Sequence, residues 1–204
     1  NLAGAVFELI ADEDIYTPDG TLRAAKDTVV DTLVTTGEGG KSKALYLGQY
    51  RLVEKQAPEG MVLESTPHMV KLEYAGQEAA VTETVIALTN QRQRVQIEMQ
   101  KLLEQDERFQ LFGDIRKVSF GLYAAKDLEA SDGSVIPKDG LLEVVACKED
   151  GTATFQTDLP FGSFYLKEIS TDEHYQLSDK AYPIEFTYAG QETGVVHLGA
   201  NEGQ

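Results

Sequence analysis

The chain has 204 residues, a formal net charge of −16 and a single cysteine, Cys147. That acidic balance argues against nucleic-acid binding, one cysteine excludes an intrachain disulfide, and no apolar run approaches the roughly 18 residues of a membrane span. With 42% hydrophobic and 25% charged residues, the chain can bury ordinary cores, as one large domain or two of about 100 residues.

Read in chain order, the segments alternate or are rich in β-branched and aromatic residues, between Gly, Pro and Asp turn signals. The opening "NLAGAVFEL" lacks an initiator methionine and reads as a piece of a longer protein, with no signal peptide or sorting tail. "AVFELI" is a predicted strand. "DIYTPDGTLRAAKDTVVDTL" could hold a short helical turn, but Pro18 and Asp19-Gly20 favour a turn. "ALYLGQYRLVEK", "HMVKLEYAG" and "ETVIALTN" follow as strands. The polar "NQRQR" (Asn90 to Arg94) marks a boundary, so the expected domains are 1–92 and 93–204. Beyond it come "VQIEMQKLL", "VSFGLYA", "LLEVVAC", "ATFQTD", "SFYLKEI", "YPIEFTYAG" and "GVVHLGA". Short strands at regular spacing predict a β-sandwich or small barrel.

The chain repeats itself. "GAVFELIADEDIYTPDG" from Gly4 resembles "KVSFGLYAAKDLEASDG" from Lys117, with Phe7 matching Phe120 at an offset of 113. Glu54 matches Glu168, and "YAGQE" at Tyr74 recurs at Tyr188, at an offset of 114. Two copies at this spacing indicate tandem domains rather than a solenoid.

Several charged or polar residues fall in the apolar rows. Tyr50, Leu52 and Glu54 share one strand face, as do Phe164, Leu166 and Glu168. Val95, Ile97, Met99 and Lys101 share another, and Ile86, Leu88 and Asn90 a fourth. An unpaired charge in a core is costly. Pairing, neutralisation or chemistry relieves it.

These residues carry a resemblance. "GAVFEL" and "VSFGLY" are similar to the early "GAxFxLY" strand of Cna-B-type, or SpaA-like (prealbumin-like), domains of Gram-positive surface proteins and pilins. "YRLVEKQAPEGM" matches their "YxVxExxAPxGY" signature, and "FYLKEISTDEHY" is a looser version without the Ala-Pro. "TNQRQRVQIEMQK" resembles the junction where one domain's terminal asparagine precedes the next domain's first-strand lysine. The resemblance covers nearly the whole chain. It implies an all-β chain of two tandem Ig-like, prealbumin-like β-sandwiches, each able to form an isopeptide bond between a first-strand lysine and a last-strand asparagine, promoted by a buried glutamate. A desolvated lysine favours the nucleophilic amine, and a buried protonated glutamate polarises the asparagine carbonyl.

Carried over residue by residue, the resemblance gives the second domain Lys101 as nucleophile, Glu168 as promoter and Asn201 as acceptor. Asn201 lies on the other parity from Val196, Leu198 and Ala200 unless a bulge intervenes, or the acceptor lies beyond Gln204. The first domain has Glu54 and Asn90, but its lysine falls before Asn1. Lys71 faces away from Val70 and Leu72. That domain is expected to lack its first strand and to present an open sheet edge.

Simpler readings stand beside these. The glutamates could be buried carboxylates bonded to backbone amides, Lys101 could snorkel, and Asn90 could cap a turn. Asp12, Glu13, Asp14 and Asp19 lack EF-hand spacing and read as a solvated loop. His68, His174 and His197 are scattered, and Cys147 reads as a small strand residue. No metal or cofactor site and no turnover-enzyme motif is found. The expected role is a structural stalk or spacer of a cell-wall-anchored surface protein, extracellular, with neighbouring domains as partners and no membrane contact from this segment. The alternative is a module binding a host protein or glycan through loops bearing Tyr16 and Tyr175.

Overall fold

The computed structural model describes residues 3–108, 110, 112–129 and 132–201, the Asn201 side chain excepted. The chain is two tandem β-sandwich domains, with one 3₁₀ turn at Ile115–Lys117 among the described residues. It divides into two compact units: Asn1–Gln93 with Gly190–Gly194, and Arg94–Ala189 with Val195–Gln204.

Unit 1 contains β1 (Val6–Ala11), β2 (Ile15–Tyr16), β3 (Leu22–Ala24), β4 (Val29–Val34), β5 (Gly48–Gln56) and β6 (His68–Leu72). Its main sheet runs β4-β1-β5-β6, all antiparallel. Alternation decides the faces. Phe7, Leu9 and Ala11 of β1 and Tyr50 and Leu52 of β5 are buried. The opposite faces carry ion pairs, Lys55 with Glu8 and Arg51 with Asp12.

Unit 2 contains β7 (Arg94–Gln100), β8 (Ser119–Ala124), β9 (Leu128–Glu129), β10 (Val135–Ile136), β11 (Leu141–Ala146), β12 (Thr152–Phe155), β13 (Gly162–Ser170), β14 (Ala181–Phe186) and β15 (Val195–Asn201). The sheet β11-β8-β13-β14 and the sheet β12-β7-β15 enclose one core. Ile97, Met99 and Phe155 come from the smaller sheet, and Phe120, Leu122, Phe164, Leu166 and Phe186 from the larger. The first and last strands of the unit, β7 and β15, lie side by side in parallel.

Four expectations in unit 1 need correction. Val29–Val34 is a strand pairing with β1, not part of a turn or helical segment. Asp27, at φ 67°, makes the reversal that brings the chain back along β1. The strand predicted from Ala44 begins at Gly48, and that predicted over 68–76 ends at Leu72. "ETVIALTN" forms no ladder. Its two-residue period is real, since Ile86, Leu88 and Asn90 are half-buried while Val85, Ala87 and Thr89 are exposed. In unit 2 the last strand bonds to β7. Among the described residues of unit 1 no strand takes that place, and alternation without a partner gives an extended chain rather than a strand.

Gly151 fixes the end of β7. At φ 81° it closes the turn from Lys148 that leads into β12, and its carbonyl accepts from the Lys101 amide at 2.9 Å. A β-carbon there would lie 2.3 Å from the Lys101 carbonyl oxygen. Gly151→Ala is expected to destabilise unit 2 by about 1–3 kcal/mol, the scale of a strained left-handed non-glycine residue. Thermal unfolding measures it, and an unchanged midpoint would contradict this placement of Lys101.

Candidate functional site

The unusual polar residues gather in two places, one per unit. In unit 2, Lys101 follows directly on β7 and Glu168 lies in β13, opposite Phe120 of β8. Lys101 Nζ is 3.0 Å from Glu168 Oε2, with the two side chains 9% and 1% exposed. Glu168 Oε1 accepts from the Ser178 amide at 3.4 Å. Among the described residues no hydrogen bond reaches Oε2, so the lysine is the group that answers it. Burying this pair strips water from both groups, and the geometry must repay that loss.

Unit 1 repeats the carboxylate with a different partner. Glu54 is 2% exposed and faces Phe7 in register, as Glu168 faces Phe120. Its Oε2 accepts from the Glu64 amide at 2.8 Å, ten residues along, the spacing at which Ser178 follows Glu168. Where unit 2 brings a lysine, unit 1 brings Asn90. Asn90 Nδ2 lies 2.9 and 2.8 Å from the two Glu54 oxygens and also donates to the Val62 carbonyl. A cavity of about 260 Å³ opens beside this pair, lined by Phe7, Glu64, His68 and Leu88 among others.

The other singled-out residues lie elsewhere. Lys71 is exposed and pairs with Glu73 at 2.7 Å. Asn201 ends β15 beside Gln100, in a ladder that shows no register shift from Val195 onward; its side chain lies outside the described residues. The acidic loop holds its own backbone: Glu13 accepts from the Gln49 amide, Asp14 from Lys26 and Asp19 from Thr21, while Asp12 pairs with Arg51. Cys147 is buried, and its amide bonds to the Val118 carbonyl.

Sequence reasoning missed Asp172. It stands where the first repeat has Pro58, and it is 1% exposed. Lys117 Nζ at 2.9 Å, the His174 ring and amide, and the Asp114 amide all point at it. The turn is the same in both repeats: the Met61 amide bonds to the Pro58 carbonyl, and the Tyr175 amide to that of Asp172. A carboxylate in place of the Ala-Pro pair gathers donors that a proline rigidifies without.

The model of the SpaA prealbumin-like fold domain matches residues 1–86 and 112–199. The chain belongs to this family. Among solved structures, the SpaA-like chain is similar to the TIE protein of Bacillus anthracis, with 19% identity and a TM-score of 0.57 over 98% of this chain and 31% of that one. It thus spans about a third of that chain's length. A streptococcal ancillary pilin matches at 21% identity and a TM-score of 0.31, over 99% of this chain and 59% of that one. The C-terminal fragment of the pilus adhesin SpaC from Lactobacillus rhamnosus GG matches at 15% and 0.39, over 97% and 88%. No curated protein matches the chain.

The Asp172 cluster of this SpaA-like chain has a pH consequence. The Lys117 ammonium first, then the His174 side chain and amide, hold the Asp172 carboxyl well below the usual carboxylate range. A carboxyl lowered on folding stabilises above its unfolded value, and that contribution fades as pH falls towards the folded one. Asp172→Asn is therefore expected to flatten the loss of stability below about pH 4, near the ordinary aspartate value. Thermal midpoints of the two proteins from neutral to acid pH test this; parallel curves would contradict it.

Proposed function

We propose that the two domains are structural spacer modules of a Gram-positive surface protein of pilin or adhesin type, and that unit 2 locks itself with a covalent bond from Lys101 to an asparagine at the end of its last strand. Asn201 is the candidate in this chain; the unshifted ladder gives it the parity of Gln100, so the bond requires the strand to turn over after Ala200. The observation that supports this is the buried contact between Lys101 and Glu168. A core that only had to be stable would hold an apolar pair more cheaply. An amine and an acid buried 3.0 Å apart are instead placed for acyl transfer. The amine attacks the Asn201 side-chain carbon, a new C–N bond forms, and the C–Nδ2 bond breaks. Glu168 donates to the carbonyl oxygen and carries the amine's proton to the departing nitrogen, which leaves as ammonia. The product is a neutral amide, which relieves the buried charge. Each domain acts once, and folding supplies the proximity.

The bond would join the first and last strands, the two that tension pulls from opposite ends. Treated like a disulfide closing about 100 residues, it contributes roughly 4–5 kcal/mol through the unfolded state. Resistance to force and irreversibility matter more than that figure. The purified chain is expected to weigh about 17 Da less than its sequence, the mass of one ammonia lost in the amide transfer. Glu168→Ala is expected to keep the full mass and melt lower. A folded wild-type chain at full mass would overturn the reading.

For unit 1, the reading places a lysine-bearing strand against "TVIALTN", with its amine in the cavity beside Glu54 and Asn90. A peptide of the β7 sequence, residues 94–103, is the probe. It should add along the unpaired segment and then join Asn90 with loss of ammonia, giving a band that survives a denaturing gel and disappears in Asn90→Ala. A folded unit 1 that yields no adduct would refute the site.

A further inference from the structure

One turn recurs in the two repeats with opposite fates. Gly190 and Gly76 hold the same left-handed conformation, φ 91° and 98°, and each accepts from the amide three residues on, Thr193 and Ala79. The glutamine after each glycine differs in what it touches. Gln191 belongs to unit 1 although it lies late in the chain. Its Oε1 accepts from the Ala57 amide at 2.8 Å, its carbonyl accepts from the Leu63 amide at 3.0 Å, and its Nε2 donates towards the Lys55 carbonyl. Gln93, 1% exposed, clamps the turn by donating to the Gly190 and Thr193 carbonyls at 2.9 and 2.6 Å. Gln77, the counterpart of Gln191, is exposed.

The receiving side shows the complementary asymmetry. At the offset of 114 that relates the repeats, Ala57 corresponds to Thr171 and Leu63 to Leu177. The Thr171 hydroxyl is buried and without a hydrogen-bond partner among the described residues, and Leu177 is 49% exposed. A buried polar atom left unpaired costs about 1–3 kcal/mol, so it marks a position where a partner belongs. One turn and one receiving segment are thus joined within unit 1, while the other turn and the other receiving segment stand open.

We propose that Ser170–Leu177 is a socket for the Gly-Gln turn of a further domain of this same fold, and that Gly76–Ala80 is such a turn, presented outward. The glutamine carboxamide would answer the Thr171 segment as Gln191 answers Ala57. This inference does not depend on the covalent bond.

A second copy of the chain is the probe, because each copy carries one open turn and one open socket. Joined domains meet at effective concentrations in the millimolar range, so free copies should associate weakly there. Amide spectra of the labelled chain, taken from dilute solution to about 1 mM, the tethered range, should shift at Thr171 and Leu177 and also at Gly76–Ala80. Gln77→Ala, at an exposed residue, should leave the dilute spectrum of the fold intact and weaken the concentration dependence about tenfold, the equivalent of one good hydrogen-bonding group. No shift at Thr171, shifts at Thr171 without any at Gly76–Ala80, or shifts undiminished in Gln77→Ala would each overturn the proposal.

Discussion

Water is excluded from Glu168 and Lys101, and much of unit 2 is arranged around the consequence. The carboxylate is held by β13, between β8 and β14, with Phe120 opposite it. The ammonium arrives from the other sheet, at the end of β7, where Gly151 fixes the backbone of Lys101. The pair therefore bridges the two layers of the sandwich and ties the first strand to the middle of the larger sheet. Breaking such a pair from one side strands a charge in the core and costs far more than the pair itself contributes. The contact specifies which strand must fill that place.

Unit 1 shows the same carboxylate with that strand absent from the described residues. Glu54 keeps the backbone amide ten residues along and the phenylalanine opposite, and it takes Asn90 as partner. The consequences spread outward from this point. "TVIALTN" alternates in burial without pairing, Val85 is 92% exposed, and a cavity adjoins Asn90. The core is also smaller, drawn chiefly from β1, β2, β5 and β6 without the layer that β7, β12 and β15 supply in unit 2. Two copies of one fold thus display the carboxylate centre with and without its lysine strand.

Much of this was legible in the sequence, because period two and the internal repeat are local signals. The rows ending in Glu54 and Glu168 follow from alternation alone, and those residues are buried. Legibility failed where a partner decides the outcome. "ETVIALTN" has the pattern of a strand, but a ladder needs a neighbour. Val29–Val34 was obscured by the turn signals Pro18 and Asp19-Gly20 in the same segment, and its pairing with β1 comes from a partner that no local pattern shows. Asp172 looked like a degenerate end to a known signature, since the donors that gather on it come from as far as Asp114 and Lys117. Gln191 was visible only as part of a repeated "YAGQE"; its bond to Ala57, 134 positions away, has no local trace.

In the proposed role the relevant quantity is extension under load, and the two units should differ in it. Pulling the chain by its ends in a single-molecule experiment tests the central claim most directly. A bond from Lys101 to Asn201 leaves the roughly 100 residues between them unable to lengthen, so only unit 1 should release chain, in one step of about 30 nm at some 3.3–3.6 Å per residue. Two steps of similar length would mean that nothing joins the ends of unit 2, and would contradict the account.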